Sequence, residues 1–172
     1  MDKKSLNRFT VNLPNQKLTL HYYPDQVLRK NAHSVHTFDK ALQDFVSHMY
    51  TFMQNNRGVG LAAPQVGILY RVITIDAPGL EKFLVNPEII SFSWDNDFNE
   101  EGCLSLPGKL YTLSRPYEIE VKARSPEGKK LHFEAEGLQA RIIQHEIDHL
   151  NGILICDKSC KPIKDNTWKK TK

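Results

Sequence analysis

Apolar residues recur at helical spacing in two separate segments of the chain. In the first, between residues 37 and 53, the apolar positions are Leu42, Phe45, Val46, Met49 and Phe52. Thr37 precedes them at a position suited to capping a helix, and the spacing predicts an amphipathic helix whose apolar face packs on a core. The second helical pattern covers residues 138–150 and ends at Asn151-Gly152, a pair typical of a left-handed C-terminal cap.

Between these helices the pattern changes to the alternation that is typical of strands. Residues 71–75 are rich in β-branched side chains, and residues 117–124 alternate between apolar and charged positions. A turn sequence at 125–128 leads into a second alternating run at 131–135, which predicts an antiparallel hairpin with one solvent-exposed face. Strands and helices do not alternate, so we expect an α+β fold with antiparallel β-sheets packed around the C-terminal helix.

The length of 172 residues fits one domain with short appendages. We predict a globular body at 21–157, an N-terminal extension at 1–20 and a basic C-terminal tail at 158–172. With 40% hydrophobic and 25% charged residues, the composition is typical of a soluble globular protein. No run approaches the ~18 apolar residues of a membrane helix, and no apolar signal region follows the N-terminus. We therefore expect a cytoplasmic protein that does not bind membranes.

Net charge and cysteine content narrow the class of protein further. The formal net charge of +3, from 23 basic and 20 acidic side chains, is too small to predict nucleic-acid binding, and we expect no DNA partner. Three cysteines without an export signal favour reduced thiols over disulfides. Each cysteine is therefore a candidate metal ligand, nucleophile or packing residue.

The second predicted helix carries the sequence His-Glu-x-x-His. On a helix, His145 and His149 lie one turn apart on the same face and are able to bind one metal ion, while Glu146 lies where it can exchange protons with a water at that ion. Leu138 and Ile142 precede the histidines on the same stripe and are candidates to line a pocket beside the metal. The alternative is that both histidines are hydrogen-bonded groups of the core or surface without a ligand.

A catalytic metal site of this kind needs a third protein ligand. In the longer form of the motif that ligand is a later histidine, but the position is occupied here by Ile155, and no glutamate follows Glu146. Cys156 and Cys160 have no distinctive setting, and we expect packing or free thiols there. Cys103 is the favoured ligand, because Gly102 permits a tight backbone before it and Pro107-Gly108 is expected to end its segment.

Cys103 also allows a different chemistry, that of a cysteine nucleophile activated by one histidine without any metal. Such a metal-free cysteine hydrolase would leave Glu146 and the second histidine without a role. The metal-dependent interpretation is therefore favoured over it.

A glycine-rich segment at 58–67 supplies further candidates. It does not predict a phosphate site, because Ala63 stands at the third glycine position of the dinucleotide motif and no Gly-Lys-Ser/Thr follows. Its small residues allow a substrate peptide to add as a strand at Gly58, Gly60 and Leu61, and the Gln65 amide is a suitable donor to a developing oxyanion. A tight turn without a ligand is the alternative.

Three segments, Gly-Val-Gly-Leu-Ala-Ala-Pro-Gln, Glu-Gly-Cys-Leu-Ser and Gln-His-Glu-Ile-Asp-His-Leu, occur in this order and closely resemble the signature motifs of peptide deformylases. The resemblance extends over about residues 23–157. It implies a hydrolase that removes the N-formyl group from the initiator methionine of nascent chains, releases formate and so takes part in N-terminal processing during protein biosynthesis. Gln139 departs from the family, which commonly has an apolar residue there.

The resemblance also implies roles for individual residues. Cys103, His145 and His149 would bind the metal, usually ferrous iron in this family, although the residue types alone also suit zinc, nickel or cobalt. Glu146 would be the general acid and base, and Gln65 with the backbone N–H of Leu104 would stabilise the oxyanion. By the same resemblance, the pocket beside Leu138 and Ile142 would accept methionine.

The basic tail is the last sequence feature with a candidate function. It contains Trp168 and six lysines, which are Lys158, Lys161, Lys164, Lys169, Lys170 and Lys172. Lysines contact phosphates and tryptophan stacks on bases, so the tail is a candidate ribosome contact, against the alternative of a merely solvated tail. A ribosome-associated binding module is the non-enzymatic alternative for the whole protein.

Overall fold

The computed structural model describes residues 17–158 and 162–165 and has the expected α+β architecture. The elements follow the chain as α1 (Lys40–Asn55), β1 (Gly60–Ala62), β2 (Val72–Ile75), β3 (Phe83–Phe92), β4 (Asn96–Cys103), β5 (Leu106–Pro116), β6 (Glu118–Arg124), β7 (Lys130–Glu136), α2 (Gly137–Leu150), α3 (Ile155–Lys158) and β8 (Pro162–Asp165). Among these described residues no helix is long and apolar enough to cross a membrane.

Helix α1 forms where the apolar spacing predicted it, but it begins later than expected. The side chain of Asp39 accepts a hydrogen bond from the backbone N–H of Leu42, so Asp39 caps the helix and the prediction of Thr37 as the cap was wrong. Asp is as good an N-cap as Thr, and its carboxylate also interacts favourably with the helix dipole. The buried face is formed by Leu42, Phe45, Val46, Met49 and Met53.

The larger of the two sheets has five antiparallel strands in the order β1-β2-β3-β6-β7. The predicted hairpin is confirmed as β6 and β7, with Ile119, Val121 and Ala123 turned toward the core. Helix α2 packs on this sheet and buries Ala140, Ile143 and other apolar residues in a shared cluster. The expected packing of antiparallel strands against the C-terminal helix is confirmed.

The second sheet, with the order β4-β5-β8, was not predicted from the sequence. Pro107-Gly108 does not end the segment of Cys103, because both residues belong to β5. In the pairing with β4, Gly102 lies opposite Leu110 whereas Cys103 lies opposite Leu106, so residues 107–109 bulge out of the ladder. Gly108 has a φ of +74°, which glycine adopts without strain and which makes this bulge possible.

Strand β8 lies within the predicted basic tail. It pairs antiparallel with β5, and Asp165 stands opposite Lys109. Residues 1–16, 159–161 and 166–172, which include Cys160, Trp168 and most of the tail lysines, lie outside the described residues.

Helix α2 ends as the sequence predicted. Gly152 has a φ of +69°, the left-handed conformation expected after the helix. A Cβ atom at this position would lie 2.5 Å from the carbonyl oxygen of Arg29, so a second steric reason favours glycine here. The close approach fixes the end of α2 against the segment that precedes α1.

Candidate active site

Helix α2 and the end of β4 bring one thiol and two imidazoles together. The ligand atoms of Cys103, His145 and His149 all lie within 4.8 Å of one another. Sγ of Cys103 is 3.2 Å from Nε2 of His149, and the two imidazole rings have their centroids 5.0 Å apart. The four-residue spacing on α2 accounts for the histidine pair, and the sharp turn after β4 brings the thiol to it.

This donor set fits a metal ion. With metal–sulfur and metal–nitrogen bonds of about 2.3 and 2.0 Å, two ligands of a tetrahedral site lie roughly 3.5 Å apart, close to the separation between Cys103 and His149. Three protein ligands leave the open position of a catalytic rather than a structural site. Among the described residues, Cys103, His145 and His149 are the group whose ligand atoms lie close enough together to hold an ion.

Glu101, a buried carboxylate on β4, holds His145 in place. Its Oε2 lies 2.9 Å from Nδ1 of His145, so the ring donates its Nδ1–H to Glu101 and directs Nε2 toward the thiol. Arg115 donates to the same carboxylate from Nε at 2.5 Å and from Nη2 at 2.8 Å, and Arg141 donates from Nη1 at 2.7 Å. Glu101 is therefore shared by a metal-ligand candidate and two arginines.

The charges around Glu101 explain its ionisation. Burial raises the pKa of this carboxyl group, but the hydrogen bonds from Arg115 and His145 outweigh burial and hold the pKa well below its ordinary value. Glu101 is therefore a carboxylate at neutral pH and acts only as an acceptor.

The two histidines have opposite electrostatic settings. Burial lowers the pKa of His145, but hydrogen bonding to Cys103 and Glu101 outweighs burial and raises it to about 10. A metal ion at Nε2 of His145 would have to displace that proton, because imidazole binds metals in its neutral form. Burial and the charges of His145 and Arg115 hold the pKa of His149 well below its ordinary value, so its imidazole is neutral, as a ligand must be.

Both arginines also reach beyond Glu101. Nη1 of Arg115 lies 2.8 Å from Oδ2 of Asp148 on α2, and Nζ of Lys158 lies 2.7 Å from the other oxygen of Asp148. Arg141 donates from Nη2 to the backbone oxygen of Asp97 at 2.7 Å. The network thereby ties β4, β5 and α2 together around the metal-ligand candidates.

Glu146 lies against the glycine-rich segment. A Cβ atom on Gly60 would be only 2.3 Å from Oε1 of Glu146, so the carboxyl group occupies the space that a side chain at position 60 would need. Its Oε2 is buried and has no hydrogen-bond partner among the residues that the structure describes. Burial raises the pKa of Glu146 to about 7, so the group is able both to take up and to release a proton near neutral pH.

Gln65 is buried beside the thiol, in the short 3₁₀ turn that follows β1. Its Oε1 accepts a hydrogen bond from the backbone N–H of Ala62 at 2.9 Å, which fixes the amide orientation. Nε2 then donates to Oγ of Ser105 at 3.1 Å and lies 3.7 Å from Sγ of Cys103. The donor end of Gln65 therefore points toward the candidate metal site.

A cleft of about 620 Å³ opens beside these groups. Nine of the residues that the sequence analysis selected line the cleft, whereas His149 does not; the nine are Gly58, Gly60, Gln65, Cys103, Leu104, Leu138, Ile142, His145 and Glu146. Leu138 is 69% exposed at its rim, whereas Ile142 is buried. Leu61 is fully buried in the cluster with α1 and is not part of the lining, so its side chain lies away from the cleft.

The sequence analysis missed Glu101, Arg115 and Arg141. Arg141 precedes His145 by four residues, so helical spacing alone could have placed it on the same face. Glu101 stands two residues before Cys103 within one of the quoted motifs. Arg115 carries no signal, because its contact with Glu101 depends on the pairing of β4 and β5.

The polypeptide deformylase family model matches residues 17–165. A peptide deformylase of Thermodesulfovibrio yellowstonii is 44% identical over 158 residues, covering 89% of this chain and 94% of the relative. The crystal structure of peptide deformylase from Thermotoga maritima has a TM-score of 0.82 and 39% identity, covering 85% of this chain and 99% of that one. The crystal structure of a Synechococcus elongatus peptide deformylase in complex with actinonin has a TM-score of 0.81 and 41% identity, covering 87% of this chain and 82% of that one.

The chain belongs to the peptide deformylase family. It is a hydrolase that acts on N-formylmethionyl peptides and removes the formyl group from nascent polypeptides, the function of this family. The family is metal-dependent, and Cys103, His145 and His149 form a cluster able to bind the ion. A metal-free cysteine hydrolase and a binding module without activity are thereby excluded.

We expect Cys103→Ser to lower metal affinity by roughly tenfold or more, because a neutral hydroxyl replaces the soft thiolate ligand. Metal content after dialysis against a chelator, measured by atomic emission, tests this. Cys156→Ser is the matched control, since Cys156 packs in the cluster around Leu28 and lies outside the Cys-His-His group. Equal metal retention by the two variants would contradict the assignment of Cys103.

We expect Glu101→Gln to destabilise the fold by roughly 3 kcal/mol, because it leaves two buried arginines without their shared carboxylate. Metal affinity should fall by about 10- to 100-fold, since His145 loses its charged acceptor. Urea unfolding and metal titration measure the two effects. Glu100→Gln, at the exposed neighbouring position, is the control, and a similar loss there would argue against the network.

Proposed function

We propose that Glu146, Gln65 and the backbone N–H of Leu104 carry out hydrolysis of the formyl amide at a ferrous ion held by Cys103, His145 and His149. Glu146, Gln65, Leu104, Cys103 and His145 line one cleft, and His149 belongs to the same ligand cluster, which supports the proposal. The observation that carries it is the carboxyl group of Glu146, which is buried beside the ligand cluster with one oxygen unpartnered.

When bound, the divalent ion would supply Lewis acidity, polarising the formyl oxygen and lowering the pKa of water. Iron is the expected ion because the chain resembles a family that usually employs it. The donor set of one thiolate and two imidazoles is equally suited to zinc, nickel and cobalt. Activity assays of protein loaded anaerobically with each ion would test the choice of iron.

In this proposal Glu146 handles the protons of the reaction. It accepts one proton from the attacking water, whose oxygen forms a bond to the formyl carbon, and returns it to the departing amide nitrogen as the C–N bond breaks. Formic acid and a free amino terminus result, the acid ionises to formate by losing its proton to the amine or to water, and Glu146 ends the cycle in the protonation state in which it began. A pKa of about 7 suits both steps near neutral pH.

Gln65 and the N–H of Leu104 meet the negative charge that develops on the formyl oxygen. The Gln65 amide is fixed by the backbone of Ala62, so it needs no reorganisation before it donates. A preorganised donor of this kind typically lowers the barrier by about 3 kcal/mol.

The peptide portion of the substrate would bind along β1 and the segment before it. β1 is an edge strand of the five-stranded sheet, and Gly58 and Gly60 line the cleft there. An extended peptide is able to add to such an edge through backbone hydrogen bonds. Ile142 and Leu138 then stand beside the ligand cluster and would contact the methionine side chain. This cleft is also the proposed binding site for actinonin, the molecule present in the Synechococcus elongatus structure.

We expect Glu146→Gln to retain metal but to lose deformylation by at least roughly a hundredfold, because an amide cannot carry the proton. Turnover of a formyl-Met peptide and metal content should be measured on the same sample. Glu127→Gln, in the exposed turn after β6, is the matched control. Near-normal turnover in a metal-loaded Glu146→Gln protein would remove Glu146 from the mechanism.

We also propose that the enzyme works in the cytoplasm and that its C-terminal segment contacts the ribosome. The basic composition of residues 166–172, with Trp168 and three lysines, supports the contact. Lys158 is a poorer candidate than the sequence indicated, because its ammonium group is bound to Asp148.

Deletion of residues 166–172 tests the ribosome contact while retaining β8. Hydrolysis of a short formyl peptide should be unchanged, and ribosome binding should weaken with a reduced salt dependence, because phosphate contacts release counterions. Cosedimentation across a salt series measures this. Equal binding by the truncated and full-length proteins would eliminate the segment as a ribosome contact.

A further inference from the structure

Strand β7 lies at the edge of the five-stranded sheet. It pairs with β6 on one side, and within the described residues the sheet order places no strand on its other side. A seven-residue strand with an unpaired edge is a template on which another strand can pair.

The direction of the backbone groups along β7 follows from the hairpin. Gly137 N donates to Tyr117 O at 2.8 Å and Ser125 N donates to Lys129 O at 2.9 Å. In an antiparallel ladder the hydrogen-bonded pairs recur every second residue, so the odd-numbered residues of β7 bond to β6. The N–H and C=O groups of the even-numbered residues therefore point toward the free edge, namely those of Lys130, His132, Glu134 and Glu136.

The outer face of hairpin β6–β7 carries an unusual arrangement of charge. Like charges lie directly opposite each other at both ends of the hairpin. The acidic pairs are Glu118–Glu136 and Glu120–Glu134, and the basic pair is Arg124–Lys130. His132 lies opposite Lys122, and its Nε2 is 2.5 Å from Oε1 of Glu120 on β6. Like charges at directly opposed positions destabilise a hairpin. Each chain therefore presents an acidic half and a basic half along the same edge.

We propose that this edge is an interface between two copies of the chain, in which β7 pairs antiparallel with β7 of a second copy about a two-fold axis at Phe133. In this register Lys130 lies opposite Glu136 of the second copy, and His132 lies opposite Glu134 of the second copy. The acidic half of each chain meets the basic half of the other, so the charge pattern that is unfavourable within one hairpin is complementary between two.

The backbone supports the same register. In this register the even-numbered residues of β7 lie opposite even-numbered residues of the second copy. These are the residues whose N–H and C=O groups point toward the free edge. A regular antiparallel ladder of about eight hydrogen bonds can therefore form between the two strands. Leu131 and Phe133 pack against the core cluster, and Ala135 belongs to it. Pairing about Phe133 places Leu131 opposite Ala135 of the second copy and extends this apolar face across the axis.

Charge also selects this register against its neighbours. A shift by two residues in one direction would place Glu134 opposite Glu134 of the second copy, and a shift in the other would place His132 opposite itself. Shifts by one residue would turn charged side chains toward the core face. The register about Phe133 is therefore the one in which every even-numbered residue of β7 faces a group of complementary character in the second copy.

A pair of short edge strands buries less than the roughly 1,200 Å² at the lower limit of stable complexes. The dimer should accordingly be reversible and concentration-dependent. Sedimentation of the full-length protein from about 10 µM to 1 mM, at low and high salt, measures it; association should weaken with salt because exposed charges carry the pairing. A wild-type protein that is monomeric at every concentration would overturn the proposal.

A charge exchange within β7 provides the specific test. Lys130→Glu alone and Glu136→Lys alone each create two like-charge contacts in the dimer, and each should raise its dissociation constant roughly tenfold. The double variant should restore wild-type association. Within one chain, Lys130→Glu replaces a like-charge contact with Arg124 by an opposite-charge contact, and Glu136→Lys does the same with Glu118. Neither change should therefore lower the melting temperature. Failure of the double variant to recover association would contradict the register.

His132→Pro tests the edge itself without relying on charge. The N–H of residue 132 points away from β6, so proline is tolerated there but blocks the second ladder. The variant should keep its melting temperature within a few degrees and lose self-association. Glu127→Lys, in the turn outside the paired segment, is the control. A dimer insensitive to both His132→Pro and Lys130→Glu would place the interface elsewhere and overturn the proposal.

Discussion

The buried carboxylate of Glu101 is the group on which the geometry of the metal-binding cluster depends. It accepts hydrogen bonds from His145 on α2, from Arg115 on β5 and from Arg141 on α2. A buried charge is costly unless it is both paired and fully hydrogen-bonded, and here several donors satisfy its two oxygens. The same contacts that make Glu101 tolerable in the interior hold α2 against the second sheet. Glu101 therefore both stabilises the fold and positions His145, a metal-ligand candidate.

Two steric constraints, at Gly60 and at Gly108, also shape the candidate active site. Gly60 leaves the space that the carboxyl group of Glu146 occupies, and the bulge at Gly108 lets β5 pair with β4 while residues 107–109 line the cleft. Because packing of Glu146 against β1 removes its carboxyl group from water, the pKa rises into the range that proton transfer requires. The lack of a side chain at Gly60 in β1 thus determines the environment, and with it the pKa, of Glu146 in α2.

The parts of the molecule that could be predicted from the sequence are those whose signals are local. Periodicity predicted α1, the hairpin and α2, and the spacing of His145 and His149 predicted that both rings share one face. The contacts of Glu101 could not be predicted in this way, because Glu101 is separated from its three partners by 14 to 44 residues along the chain. Pro107 and Gly108 do not end a strand as expected, because they lie in the bulge at residues 107–109 and β5 resumes its pairing with β4 at Leu110.

The contacts around the cluster also bear on how the protein discriminates between metal ions. Cys103 is fixed by the β4–β5 pairing and His145 by Glu101, and neither contact requires the ion. Binding therefore needs little folding of the protein, in contrast to small zinc domains whose ligands are brought together only by the metal. A site preorganised in this way favours one arrangement of ligands, but the divalent transition metals suited to thiolate and imidazole ligands share similar bond lengths and tolerate that arrangement. Selection among them must then come from the supply of each ion, rather than from the donor set or the shape of the protein.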